Sequence, residues 1–209
     1  VLAASGLSSQ ILRLKRAGIP VVAVGSALSG QPLDWVSADD AQIAADAVSF
    51  LHSSGRRRLA TIAGPESSAT GKARLSGFLA RLTDLAPSVE PLVAVADFTK
   101  DGGYAAMRAL LESGVRPDAV FCANDLMAIG AMQAARSAGL SIPGDVAFIG
   151  VDDIDAAALV RPALTTVHIP VQEIGRAAGE LLLHRISAGA ASAHRHVQVD
   201  HHLVIRESA

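Results

Sequence analysis

Cysteine is nearly absent: Cys122 is the one copy in 209 residues. That excludes an internal disulfide framework and fits a reducing compartment. Aromatic residues are scarce, at 3%, so the core has to be built mainly from Ala, Val, Leu and Ile. No apolar run reaches the length that spans a bilayer. No signal peptide is visible, since Val1 opens directly in what reads as a strand. No segment is strongly basic and the net charge is −2, which argues against a nucleic-acid surface in this chain. No Ser/His/Asp order follows a nucleophile elbow, and no pair of acids stands in a setting that suggests catalysis. The chain therefore reads as neither an enzyme nor a cofactor protein.

What is present is a globular composition, with 50% apolar and 18% charged residues. The length suits one large domain or two small lobes. β-prone and helical segments alternate along the chain. Strands are expected over 1–4, 21–24, 35–38, 59–63, 91–95, 119–122, 146–151 and 164–169. Helices are expected over 10–17, 40–53, 72–82, 103–112, 126–138 and 172–186, with a short one over 154–160. A loop covers 25–33, a small-residue loop covers 189–194, and 195–205 reads as a strand or hairpin. Alternation of this kind means an α/β fold with parallel sheets flanked by helices.

Four stretches carry polar chemistry. The strand at 146–151 runs into Asp152 and Asp153, at the carboxyl end where open sheets bind ligands. Either one carboxylate faces a ligand or both cap the following helix. The loop 64–72 lies between a strand and a helix like a phosphate loop, but six residues separate Gly64 from Gly71 and Ala73 follows Lys72. A nucleotide triphosphatase is excluded by that spacing. The same loop can bind a neutral polar ligand through free N–H groups and through Ser67, Ser68 and Thr70. Asn124 and Asp125 open a helix, and Asp125 can cap it while Asn124 faces the cleft. His194, His196, His201 and His202 lack a Cys or Glu partner at ligand spacing and read as a solvated strand, so no metal is expected. Cys122, inside an apolar strand, reads as a buried inert thiol.

Ordered along nearly the whole chain are Gly18-Ile19-Pro20-Val21-Val22, Gly64-Pro65, Arg74 with Gly77-Phe78, Pro117-Asp118-Ala119-Val120-Phe121, and Ala123-Asn124-Asp125. Gly150-Val151-Asp152-Asp153, Pro162-Ala163-Leu164-Thr165-Thr166, and Leu203-Val204-Ile205-Arg206 with Ser208 follow. This set resembles the effector-binding part of lactose-repressor/galactose-repressor family transcriptional regulators. Val151 stands where the family has an aromatic residue, and Gly25-Ser26 stand where it commonly has Asp-Arg.

The resemblance implies a two-lobed periplasmic-binding-protein-like fold. One lobe would be made from 1–38 and 168–188, the other from 39–167 and 189–209. It implies that Arg74, Asn124 and Asp152 contact a small polar effector (a sugar, sugar derivative or purine), that Phe98 stacks on it, and that Ser68 and Thr70 flank it. It also implies a homodimer built on Leu126, Met127, Ala131, Ala157 and Val160. The family carries a helix-turn-helix head and two more strand–helix units before the point where Val1 stands. DNA would thus be bound only through that missing head, in a cytoplasmic regulator, and the 1–4 strand would be an unprotected edge of a truncated lobe. The alternative in the same fold is a periplasmic sugar-binding protein of an ABC transporter.

Overall fold

The computed structural model describes residues 11, 13–14, 16–25, 33–114, 116–188 and 192–209. The strand expected over 1–4 and most of the loop over 25–33 lie outside them. The chain divides into two compact units, Val1–Asp39 with Pro170–His201, and Asp40–Ile169 with His202–Ala209.

Among the described residues, the first unit holds a three-stranded parallel sheet. Strand β2 (Asp34–Ser37) lies between β1 (Val22–Val24) and β8 (His196–Gln198). Ile11, Val21, Ala23 and Leu33 form its small core with Leu14 and Trp35. Helix α6 (Val171–Ala188) places Arg185 against Asp34, through Nε at 2.7 Å and Nη2 at 2.8 Å. Arg185 also donates to the carbonyls of Ser192 and Ala193, and Arg195 N–H donates to Asp34. Burial would raise the Asp34 carboxyl, but these bonds hold it below its usual range. The clasp fixes the chain entering β8, whose His196 stacks on Trp35 with centroids 4.5 Å apart.

This pairing corrects two expectations. The stretch 189–201 belongs with the first unit, because β8 hydrogen-bonds to β2. The region 195–205 is also not a hairpin: β9 (His202–Val204) joins the other sheet, antiparallel to β7 (Thr165–His168). Alternating side chains alone cannot say which sheet a strand joins.

The second unit holds a six-stranded sheet ordered β4-β3-β5-β6-β7-β9. Its strands are β3 (Leu59–Ala63), β4 (Leu92–Val95), β5 (Ala119–Cys122), β6 (Ala147–Asp152), β7 (Thr165–His168) and β9. All neighbours are parallel except β7 and β9. Strands β3 and β5 are buried along their whole length, as helix-covered parallel strands should be. Edge strand β4 alternates instead, leaving Val93 and Val95 exposed.

Five helices accompany this sheet: α1 (Asp40–Ser53), α2 (Ala69–Leu85), α3 (Lys100–Glu112), α4 (Asp125–Ser137) and the short α5 (Asp155–Leu159). Helix α1 buries Ile43, Ala44, Ala47, Val48 and Leu51, one stripe at helical spacing. It ends before Gly55, whose φ of +90 only glycine adopts freely. Helices α3 and α4 cross closely, since a Cβ on Gly130 would lie 1.9 Å from the Lys100 carbonyl oxygen. Ser208 closes the far side: its hydroxyl donates to Phe148 O at 2.7 Å and accepts from Thr165 N at 2.8 Å. No described helix is long and apolar enough to cross a membrane.

Candidate functional site

Three helices of the second unit begin at the carboxyl edge of its sheet, each with a capping side chain. Ser68 accepts from Gly71 N–H, Thr99 from Gly102 N–H, and Asn124 from Met127 N–H. Such caps satisfy donors that a helix start leaves unpaired. They also explain why α2 and α3 start three residues earlier than the apolar periodicity indicates.

Arg74, in α2, lies between two carboxylates and a carbonyl. Its Nε donates to Asp40 Oδ1 at 2.9 Å, its Nη1 donates to the Ala123 carbonyl, and Nη1 stands 3.8 Å from Asp152 Oδ1. The Arg74 and Asp40 side chains keep only 6% and 10% of their surface. Nη2 makes no hydrogen bond among the described residues. Asp152 is the open member, with 39% of its side chain exposed. Burial pushes its carboxyl up to about 6, opposed by Arg74 and assisted by Asp40. Solvent reaching that exposed edge screens part of the effect.

Asp152 and Asp153 both have left-handed backbone, with φ of 113 and 59. Each such residue costs about 1–3 kcal/mol unless its surroundings impose it. Asp153 turns away from Asp152: it accepts from Arg206 Nη2 at 2.6 Å and lies 3.0 Å from His168 Nδ1. Burial would raise the Asp153 carboxyl, but Arg206 and His168 hold it below its usual range. Neither acid caps α5, whose cap residue Ile154 makes no side-chain bond. The two carboxylates thus divide, Asp152 toward Arg74 and Asp153 toward Arg206.

The Asn124–Asp125 pair has the reverse of one expected arrangement. Asn124 is the cap, and its Nδ2 donates to Phe98 O at 3.0 Å. Asp125 is fully buried and accepts from Thr166 Oγ1 at 2.6 Å and Ile154 N–H at 2.9 Å. Burial pushes its carboxyl up to about 6, with Asp152 and Asp153 adding repulsion and the two hydrogen bonds opposing.

Phe98 also has positive φ, 66, and its ring lies against Gly64. The structure therefore brings Arg74, Phe98, Asn124 and Asp152 to one sheet edge, where Gly64 ties the ring to the loop leading to Ser68. Thr70 lies in the first turn of α2. Sequence reasoning missed Asp40, Asp125 and Thr166 as parts of this arrangement. Asp40 reads only as a helix-start acid until its contact with Arg74, 34 positions away, is seen.

The expected dimer residues require correction. Met127, Ala131 and Ala157 are fully buried in the core of the second unit, so they cannot form an outer face. Leu126, 44% exposed, does lie outside. Val160 joins Ile129, Met132, Gln133, Arg136 and Arg161 around a groove of about 530 Å³. The error was one of helical phase: the outward face of α4 is Leu126, Ile129, Gln133 and Arg136. His194 lies 3.1 Å from Arg185 Nη2, His196 stacks on Trp35, and the His202 ring lies tilted against His168, with centroids 4.9 Å apart. No metal-holding cluster occurs among the described residues. Cys122 is buried, which pushes its thiol far above the usual range.

A family model described as a periplasmic binding protein-like domain matches residues 48–209. The HTH-type transcriptional regulator CelR of Thermobifida fusca is 38% identical over 200 residues, covering 93% of this chain and 58% of that protein. The solved complex of CelR with cellobiose superposes with a TM-score of 0.92 at 36% identity, covering 100% of this chain and 64% of that one. A LacI family transcriptional regulator from Enterococcus faecium with bound ribose superposes with a TM-score of 0.87 at 29% identity. That match covers 99% of this chain and 78% of that one. The chain thus spans less than two thirds of the curated regulator it matches.

Proposed function

Because the chain belongs to the lactose-repressor (LacI) family of periplasmic-binding-protein-like regulators, we propose that it is the effector-sensing and dimerisation part of a bacterial transcriptional regulator. It binds a sugar or related small polar molecule and does no chemistry on it. The observation that carries this reading is the Arg74–Asp152 pair. A buried guanidinium held by Asp40 keeps one nitrogen uncommitted, beside a carboxylate that remains open to solvent. Together they offer a donor and an acceptor suited to vicinal hydroxyls. Asn124 and the Phe98 ring complete the surface, and Ser68 and Thr70 lie on the loop beside it. The cellobiose and ribose complexes of similar regulators support a sugar over a purine.

The partners follow from the same family. The regulator acts in the cytoplasm and controls transcription by binding DNA, as the names of its relatives indicate. Two copies associate through the outward face of α4 and the segment after α5, using Leu126, Ile129, Leu159 and Val160. Regulation requires only that the effector bind one conformation of the regulator better than another. The regulator names of the relatives favour this over a transport protein of the same fold.

Thermal-shift and calorimetric titration of the intact protein with ribose, cellobiose and purine nucleosides test the reading. A saturable shift with at least one of them is expected, lost in Asp152→Ala. Saturable binding that Asp152→Ala leaves at wild-type affinity would remove the assignment.

A further inference from the structure

We infer that Asp125 is a positioning residue that aims Asp152 at the effector, an inference resting on the carboxyl edge being the effector site. Two neighbouring residues with left-handed backbone, Asp152 and Asp153, turn the chain out of β6. Such a turn persists only where something on both sides imposes it. On the downstream side, Ile154 N–H donates to Asp125 Oδ2 at 2.9 Å. Asp153 itself is held by Arg206 and His168. On the upstream side, Gly150 lets the carboxylate in: a Cβ there would lie 2.1 Å from Asp125 Oδ1. Thr166, on the neighbouring strand β7, donates to that same oxygen at 2.6 Å.

One buried carboxylate thereby joins the start of α4, strand β7 and the start of α5, and brackets the two-residue turn between them. The chain enters the bracket beside Gly150 and leaves it at Ile154. The turn sets Asp152 toward Arg74, 3.8 Å away, while Arg206 and His168 hold the other acid. The Asp125 carboxylate bonds Ile154 N–H and the Thr166 hydroxyl rather than Arg74, so it sets the direction of Asp152 through the backbone, beside the repulsion between the two charges. Both of its oxygens are engaged, by Thr166 and by Ile154, which a capping role for α4 would not require, because Asn124 already caps that helix.

The test needs no effector, so its failure is distinct from a failure of the effector reading, which the titrations above decide. In the intact protein, carboxyl-carbon NMR follows the titration of Asp152, assigned by its loss in Asp152→Asn, and amide exchange follows Ile154. Asp125→Ala and Thr166→Val are compared with wild type and with Asp125→Asn. An amide at 125 can still accept from Ile154 N–H and donate to the Thr166 hydroxyl. In Asp125→Ala, Ile154 exchange should rise roughly tenfold or more, and Asp152 should titrate nearer the ordinary carboxylate range as it swings into solvent. Asp125→Asn should restore the slow exchange and return the Asp152 titration most of the way, short of the repulsion that the lost charge supplied. If Asp125→Ala does not fold, Thr166→Val decides, with the same changes in smaller measure. A wild-type Asp152 titration in the folded variant with fast Ile154 exchange would overturn the inference and leave Asp125 a structural acid only.

Discussion

The ring of Phe98 fills the space that a side chain at position 64 would need, since a Cβ built on Gly64 would lie 2.2 Å from the ring's Cζ. The glycine and the ring come from the ends of neighbouring strands β3 and β4, so each sets where the other can go. Gly64→Ala should displace the ring and cost about 1–3 kcal/mol, the usual range for overpacking. Denaturant melts read the stability. Fluorescence or calorimetric titration with a binding sugar should show weakened affinity. A variant with wild-type affinity would mean that the ring does not take part.

Arg74→Ala should destabilise the protein as well as weaken binding. It removes one member of the Arg74–Asp40 ion pair, whose side chains are only 6% and 10% exposed, and breaking a buried pair typically costs about 3–5 kcal/mol. Asn124→Ala removes a helix cap, worth about 1 kcal/mol, along with the bond to Phe98 O. Asp152→Ala should spare stability, since this acid is the open member of the group. Urea melts of the three variants should rank in that order of loss.

Stability should fall as pH rises from about 4 to about 6. The folded Asp125 carboxyl titrates near 6, above its ordinary value near 3.8. Between those values the folded state holds a proton that the unfolded chain has released, so raising the pH favours unfolding by roughly 2–3 kcal/mol in all. Asp34 and Asp153, held below their usual range, work in the other direction: their contribution is present above about 4 and is lost as pH falls further. Melting temperatures across pH 3 to 7 should therefore peak near the lower part of this window. Asp152, also pushed up to about 6, adds to the decline in the same direction, by less because solvent screens its exposed edge; in Asp125→Asn the decline toward 6 should flatten in part, and an unchanged decline would remove Asp125 as its source.

Leu126→Asp combined with Leu159→Asp should shift a dimer toward monomer in analytical ultracentrifugation while leaving the melt cooperative. Both side chains are exposed, at 44% and 74%, so a charge there meets water in the monomer. Ala131→Asp is the contrasting control: its side chain is fully buried, and a charge there should unfold the second unit. A double variant that stays dimeric would move the interface elsewhere.

Periodicity and capping residues made most elements of the second unit legible, because its helices carry single apolar stripes and its central strands are apolar on both faces. The residues at the sheet edge were legible through family-like motifs, but their division of labour was not. Adjacent letters such as Asp152 and Asp153, or Asn124 and Asp125, become different things only when partners far away choose between them: Arg74 and Arg206 for the first pair, Phe98 O and Thr166 for the second. The same limit explains the burial of Met127 and Ala131, where a small error in helical phase turns core into surface. It also explains 195–205, where strand character was visible but the partner strand was not.

The interleaving of the two units has a consequence for biosynthesis. The larger sheet lacks β9 and the Ser208 bonds to Phe148 and Thr165 until residues 202–209 have emerged, and by then Pro170–His201 of the other unit has already been made. The smaller unit, in turn, lacks β8 until nearly all of the larger one is synthesised. The two units are therefore completed almost together, within the last residues made, rather than one after the other in the amino-to-carboxyl order usual for multidomain chains. Incomplete β2 and β7 edges coexist on the nascent polypeptide, and both are exposed to off-pathway strand pairing until the final stretch arrives.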